Sequence, residues 1–93
     1  MNTPWGKSEY KTEICKGITV YSTASHGGFK VINEILPVMP KQYINGDGWY
    51  EEDCESCKVV LAFPHLFEER QRDHAKKTWE FWFKDDGTYK ERA

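Results

Sequence analysis

The sequence predicts an α+β fold in which a small antiparallel sheet of about three strands packs against two main helices. Three observations support this prediction. Short runs of β-branched residues fill the first third of the chain, turn signals separate them, and two longer segments in the second half show helical periodicity. The chain has 93 residues without a repeat or a linker, so we predict one domain over residues 1–93.

Three strands are predicted near the start of the chain, over residues 12–15, 18–23 and 29–32. The loop between the second and third strands contains Gly27 and Gly28. Glycine takes a positive φ without a steric penalty, and such residues favour a tight connection. The second and third strands are therefore expected to form a hairpin.

The first main helix is predicted over residues 49–63, after two short helical turns at 33–36 and 39–44 and a turn signal, "NGDG", at 45–48. Four residues recur at helical spacing and would form its inner stripe: Tyr50, Cys54, Cys57 and Leu61. Residues 59–63 are apolar on all sides, so this segment is expected to be the most buried part of the fold.

The second main helix is predicted to begin at residue 66 or 67 and to end near Phe83. The segment "EERQRDHAKK" favours a helix and contains no helix breaker before Trp79. An alternative remains open, because "TWEFWF" also has strand propensity and "DDG" at 85–87 would turn a hairpin back through Tyr89. We prefer the helix on the strength of the upstream segment.

The charge balance argues against nucleic acid as a partner, since the net charge is only −2 and acids are interleaved with the basic residues. No apolar run reaches transmembrane length, and the start of the chain lacks the pattern of a signal peptide. The odd number of cysteines, three, favours reduced thiols. We therefore expect a protein of the cytoplasm that binds neither nucleic acid nor membrane.

Two motifs carry a resemblance: "STASHGG" at 22–28, and "GWYEEDC" at 48–54 leading into "VLAFPHLF" at 60–67. Together with "TPWGKSE" at 3–9 and "MP" at 39–40, they resemble a domain family of unknown function from plasmids, phages and integrated elements. Proteins of that genomic setting often neutralise a host defence. The resemblance therefore implies an accessory protein of a phage or mobile element that works in the cytoplasm of a host bacterium.

The loop from Ser25 to Gly28 is the first candidate site. His26 would serve as an acid, a base or an anion ligand, because histidine changes its charge near neutral pH. Gly27 and Gly28 would let backbone N–H groups approach a phosphate or a carboxylate. The simpler interpretation, which the short pattern "SHGG" favours, is a turn in which His26 hydrogen-bonds within its own loop.

The segment from Trp49 to Asp53 is the second candidate site. Trp49 and Tyr50 follow a glycine-rich turn, where large rings often anchor a partner. Glu51, Glu52 and Asp53 come next, and one of these carboxylates would orient His26 in a catalytic arrangement. The helix dipole explains acids at a helix start without any chemistry, so we favour binding over catalysis.

Cys54 and Cys57 form a C-x-x-C pair, which raises the question of a zinc site. The chain contains only one such pair, and both thiols fall on the inner stripe of the predicted helix. Acidic neighbours would also raise a thiol pKa, which opposes reactivity. We expect buried thiols, no metal and no cofactor.

The sequence thus predicts an inhibitor that binds a host defence protein, most simply without enzymatic activity. Its predicted contact residues are Ser25, His26, Gly27, Gly28, Trp49, Tyr50, Glu51, Glu52 and Asp53. The alternative is a small enzyme or a nucleotide- or anion-binding domain that uses His26 with Glu51 or Glu52. Both require the two segments, which are distant in the chain, to lie together on one accessible face. Self-association through the aromatic surface is left open.

Overall fold

The computed structural model describes residues 2–91 and confirms the α+β class; the ends of the predicted domain, residues 1–93, lie outside this range. The elements follow in chain order as β1 (Asn2–Thr3), β2 (Gly6–Lys7), β3 (Tyr10–Cys15), β4 (Ile18–Ser22), β5 (Gly27–Val31), β6 (Trp49–Glu51), α1 (Ser56–Ala62) and α2 (Glu69–Trp82). Strands β3 to β6 form one antiparallel sheet in that order, and β1 and β2 form a separate hairpin.

The two faces of the four-stranded sheet have different surroundings. Side chains alternate between the faces of a strand. In β5, Phe29 and Val31 therefore point to the face that α1 and α2 cover, where Phe29 contacts Phe67, while Gly28 and Lys30 point to the outer face. The helix face forms the hydrophobic core. Its five largest fully buried side chains are Ile18, Val31, Tyr50, Val59 and Phe83.

The prediction of one helix over residues 49–63 is wrong in its first half. Trp49–Glu51 is instead the fourth strand of the sheet, which was predicted to have about three, and it pairs with β5. The β5 edge offers unpaired backbone groups that a strand satisfies and a helix does not. Helix α1 begins only at Ser56, and its buried run is Cys57–Val60, whereas residues 61–63 are half-buried.

The end of α2 combines the preferred and the alternative prediction. The helix continues to Trp82, as preferred. The chain then turns at residues 85–87, where Gly87 has a φ of 90°, and Phe83 forms an isolated antiparallel bridge with Tyr89. The segment that returns from the turn is therefore a single bridge and not a second strand.

The link between β5 and β6 contains two short 3₁₀ helices, Leu36–Val38 and Lys41–Tyr43. The second lies within the helical turn predicted at 39–44, whereas the first begins where the turn predicted at 33–36 was expected to end. Leu36 and Met39 from this link are buried in the core. Within residues 2–91, neither α-helix combines the length and the apolar character that crossing a membrane requires.

Candidate functional site

The two candidate segments, which are distant in the chain, are neighbours in the sheet. Gly28 in β5 pairs with Glu51 in β6, and the backbone N–H of Glu52 donates to the carbonyl oxygen of Gly27 over 2.9 Å. Pairing of β5 with β6 thus joins the residues around the hairpin turn to the residues around the acidic turn. The exposed residues of this region are Ser25, His26, Glu52 and Asp53.

Gly27 and Gly28 are required for close packing. The sequence had suggested that they are needed for a positive φ, and this is wrong. Neither has a positive φ, since both lie in β5. A Cβ at Gly27 would lie 2.7 Å from the carbonyl oxygen of Tyr21. A Cβ at Gly28 would collide with the carbonyl oxygen of Tyr50 and lie 2.5 Å from Cη2 of Trp5. Gly28 therefore leaves room for the Trp5 ring on the outer face of the sheet.

The turn between β4 and β5 is held by Thr23. Its backbone N–H and its hydroxyl both donate to the carbonyl oxygen of His26, over 2.7 and 2.8 Å, and the hydroxyl accepts from the His26 backbone N–H over 3.0 Å. These bonds use only the backbone of His26. The Ser25 and His26 side chains remain on the surface at the tip of the hairpin.

Trp49 and Tyr50 point to opposite faces of β6, and only Trp49 is accessible. Tyr50 is 0% exposed, its hydroxyl donates to the carbonyl oxygen of Tyr43 over 2.8 Å, and it accepts from the Asn45 backbone N–H over 2.8 Å. Burial raises the pKa of Tyr50 to about 12. The prediction that Tyr50 anchors a partner is therefore wrong, because its ring belongs to the core.

The carboxylate of Glu51 stabilises the turn before α1. Its two oxygens accept backbone N–H groups from the next residues: Asp53 over 2.8 Å, Cys54 over 2.6 Å and Glu55 over 3.1 Å. Backbone donors at the start of a helix have no partner within the helix, and a carboxylate satisfies them well. The hydrogen-bonding capacity of the Glu51 carboxylate is thus used by the backbone that follows it. Within residues 2–91, the His26 side chain forms no hydrogen bond with Glu51 or Glu52.

Trp49 lies in a group of aromatic rings on the outer face of the sheet. The Trp5 ring meets it edge to face with centroids 5.5 Å apart, and Tyr21 lies on another side at 5.6 Å. The ammonium group of Lys30 stands 5.0 Å from the centre of the Trp49 ring. We call these four residues the Trp49 cluster; both of its indole rings are half-buried.

A cleft of about 600 Å³ opens beside the Trp49 cluster, and we call it the tryptophan cleft. The rings of Trp5 and Trp49 supply apolar surface, and Asp47, Glu51 and Glu55 supply carboxylates. The other lining residues are Pro4, Ile44, Asn45 and Gly46. The cleft therefore combines aromatic surface with carboxylates, of which Glu55 is paired with Lys58 and Glu51 accepts backbone N–H groups.

The sequence did not indicate the role of Trp5. The hairpin of β1 and β2 places this residue in its turn, where Gly6 has a φ of 119°. The Thr3 hydroxyl also accepts the backbone N–H of Trp5 over 3.2 Å. A signal was present in "TPWGK", since proline and glycine flank the tryptophan as they do in tight turns.

The buried Lys58 was also missed. Only 5% of its surface is exposed. Its ammonium nitrogen lies 2.8 Å from Glu55 Oε2 and donates to Asn45 Oδ1 over 3.0 Å. The same nitrogen lies 4.5 Å from the centre of the Phe83 ring. The Tyr89 hydroxyl donates to the other oxygen of Glu55 over 3.0 Å. We call these five residues the Lys58 cluster. A lysine between a cysteine and two valines gives no sequence signal for this network.

The surroundings of Cys54 and Cys57 disfavour the thiolate form of both side chains. Burial raises the pKa of the Cys57 thiol to about 12, and burial followed by the charge of Glu51 raises that of Cys54. Both thiols are free, and in the described part of the chain no three His, Cys, Asp or Glu side chains form a group that could hold a metal ion. Cys57 is buried in the core, whereas Cys54, which was also expected to be buried, is half-buried and packs against it.

The comparison with protein families confirms the expectation of a domain family of unknown function. A family model described as "Domain of unknown function (DUF7007)" matches residues 1–92. The chain belongs to the DUF7007 family. No curated protein and no solved structure matches this DUF7007 chain at a significant level.

Proposed function

We propose that this DUF7007 protein is an accessory protein of a phage or mobile element that binds and inhibits a component of a host defence system. The genomic setting is what the motif resemblance implies. The observation that carries the binding function is the half-buried Trp5 and Trp49 pair, which lines an open cleft beside two exposed turns.

Trp49 is the proposed anchor of the contact. Tryptophan is enriched among residues that dominate binding energy, because a large ring buries much apolar surface at a small entropic cost. Trp49 retains accessible surface, unlike the fully buried Tyr50 in the same strand. Trp5 fixes the orientation of the Trp49 ring, so little order has to be gained on binding.

The surroundings of Trp49 extend the contact surface. The carboxylates of Asp47, Glu51 and Glu55 line the tryptophan cleft on one side. Ser25 and His26 are exposed at the β4–β5 turn, and Ser25 lines a neighbouring cleft that also includes Trp5. A rim of polar groups around an aromatic centre is typical of protein interfaces.

Inhibition would be steric, since binding at one face is sufficient to block a larger protein. The alternative was an enzyme or an anion-binding domain that uses His26 with Glu51 or Glu52. It gains no specific support, because the Glu51 carboxylate accepts three backbone N–H groups and, within residues 2–91, the exposed Glu52 forms no hydrogen bond with the His26 side chain. We therefore propose one function, with Trp49 at its centre and His26 at its periphery.

Affinity capture from host cells tests this proposal. Tagged wild-type protein is compared with Trp49→Ala, His26→Ala and a matched control, Phe81→Ala, which removes an aromatic ring that is 47% exposed on α2. We expect Trp49→Ala to lose a discrete host protein, Phe81→Ala to retain it and His26→Ala to retain most of it. Circular dichroism establishes that each variant is folded.

Equal capture by wild type and Trp49→Ala would contradict the proposal. Loss with Phe81→Ala to the same extent would do so as well, because the contact would then not be specific to the tryptophan cleft. A captured protein becomes a defence target only if purified partner and purified DUF7007 protein form a complex and the partner loses its activity in it.

A further inference from the structure

A second cleft, of about 450 Å³, lies on the other face of the sheet, between α1, α2 and β5. We call it the interhelical cleft. Its apolar surface comes from Phe29, Cys57, Val60, Phe67 and Ala75, and its polar residues are Asp53, Ser56, Arg70, Gln71, His74 and Thr78. A concave apolar surface with a few converging polar groups is the usual form of a small-molecule site.

The apolar part of the interhelical cleft suits a hydrocarbon body. Phe29 and Phe67 meet edge to face with centroids 5.8 Å apart and form one wall. The Cys57 thiol is neutral at neutral pH, since burial raises its pKa to about 12. The surface between these residues therefore carries no charge and is favourable for an aryl or alkyl group.

The α2 side of this cleft presents an unused guanidinium group. Arg70 and His74 lie one helical turn apart, both are exposed, and within residues 2–91 neither side chain forms a hydrogen bond or an ion pair. Arg72 differs, because its guanidinium donates to the carbonyl oxygens of Phe67 and Pro64 and so holds the chain before α2. Arg70 has no comparable structural role.

The remaining polar groups set the polarity of the cleft. The Gln71 side-chain oxygen accepts the Glu68 backbone N–H over 2.9 Å, which leaves its NH₂ group as a donor. The Ser56 hydroxyl carries no charge and donates to the Glu52 carbonyl oxygen over 3.0 Å. The charge on the α1 side of the cleft is that of the Asp53 carboxylate. An anionic group is therefore favoured beside α2 and disfavoured beside α1.

We propose that the interhelical cleft binds a small apolar carboxylic acid. Its hydrocarbon body lies against Phe29 and Phe67, and its single carboxylate accepts hydrogen bonds from the Arg70 guanidinium and the Gln71 amide. Guanidinium groups bind carboxylates through two parallel N–H donors, which fixes the orientation of the acid. The site lies on the opposite face of the sheet from Trp49, so the inference does not depend on the proposed function.

Titration of isotope-labelled protein with 4-phenylbutyrate and octanoate, followed by NMR chemical shifts, tests the proposal. The matched probe 4-phenylbutylamine carries the same body as 4-phenylbutyrate with a cation in place of the carboxylate. We expect both acids at millimolar concentration to shift the amides of Arg70, His74, Ala75 and Cys57. The amine should bind at least about tenfold more weakly, since it cannot accept charged hydrogen bonds.

Arg70→Gln is the decisive variant, and Lys76→Gln is its control, because Lys76 is an exposed cation of α2 that does not line the interhelical cleft. We expect Arg70→Gln to raise the dissociation constant about tenfold or more, and Lys76→Gln to leave it nearly unchanged. Three results would each overturn the proposal: no shifts with either acid, equal binding of acid and amine, or equal effects of the two variants.

Discussion

The Trp49 cluster and the Lys58 cluster are built from similar parts and differ in their use. Each places a lysine ammonium group over an aromatic ring, 5.0 Å from Trp49 in one and 4.5 Å from Phe83 in the other. Lys58 and Phe83 are buried, and Lys58 is paired with Glu55. Lys30 and Trp49 are half-buried beside an open cleft. The same chemistry is thus buried within the fold at one place and borders an open cleft at the other, where Lys30 also donates to the Asp47 carbonyl oxygen over 2.8 Å.

The largest difference is expected when the same substitution is made in both clusters. Lys58→Met leaves the Glu55 carboxylate and the Asn45 amide oxygen without their buried partner, and we expect it to lower the free energy of unfolding by about 3–5 kcal/mol. Lys30→Met removes a half-buried ammonium group from the Trp49 ring and from the Asp47 carbonyl oxygen, which it meets over 2.8 Å, and should cost about 1–2 kcal/mol. Urea denaturation measures the free energy of unfolding of both variants. Equal decreases in the two variants would show that the two clusters do not differ in their contribution to stability.

The Trp49 cluster is expected to depend on the missing side chain at Gly28. Gly28→Ala places a methyl group against the Tyr50 carbonyl oxygen and the Trp5 ring, so we expect a loss of about 1–3 kcal/mol in the free energy of unfolding and displacement of Trp5. Gly46→Ala is the control, since a Cβ there meets no atom within 4 Å. The displacement should appear as a change in tryptophan fluorescence in Gly28→Ala alone. An unaltered spectrum and stability would show that Trp5 does not pack there.

The stability of the protein is expected to depend on pH through Tyr50, which links β6 to the core. Its pKa is raised from 10.0 to about 12, so the unfolded chain loses this proton at a lower pH than the folded protein. The protonated Tyr50 hydroxyl therefore makes its full contribution to the free energy of unfolding below pH 10, and this contribution is lost as the pH rises toward 12. Tyr50→Phe also leaves the Asn45 N–H and the Tyr43 carbonyl oxygen without their partner, at a cost of about 1–3 kcal/mol.

Urea denaturation from neutral to alkaline pH measures both effects of Tyr50→Phe. The stability of the variant should fall less steeply with pH than that of the wild type. Some decline must remain, because the pKa values of Cys54, Cys57 and Tyr89 are also raised, in each case chiefly by burial. Identical slopes in the two proteins would show that Tyr50 ionises as freely in the folded state as in the unfolded state.

The elements that could be predicted from the sequence are those with a local signal. Strands β3 to β5 follow runs of β-branched residues, and α2 follows a long segment without a helix breaker. Strand β6 was predicted as helix because Tyr50, Cys54 and Cys57 have helical spacing. That spacing runs across a strand, a turn and a helix. A single sequence cannot show that β5 has a free edge for Trp49–Glu51 to pair with.

The candidate site was predictable in part for the same reason. The sequence-based hypothesis required the segments around Gly28 and Glu51 to lie together, and the pairing of β5 with β6 brings these two residues side by side. The accessible and the buried ring in "WY" could not be distinguished, because the faces of a strand are defined only once its pairing is known. Trp5 reaches the site through a separate hairpin, whose turn has a local signal in "TPWGK" but whose position beside β6 has none. Lys58 acquires its role through tertiary contacts, which have no local sequence pattern.

We propose that the tryptophan cleft contacts a partner, whereas the Lys58 cluster supports the fold. Site-specific photocrosslinking in host cells tests it most directly, with a photoreactive phenylalanine derivative placed at Trp49 and, as the control, at the exposed Phe81. We predict that the probe at position 49 crosslinks one discrete host protein and that the probe at position 81 does not. No crosslink at position 49, or the same products at both positions, would contradict the account.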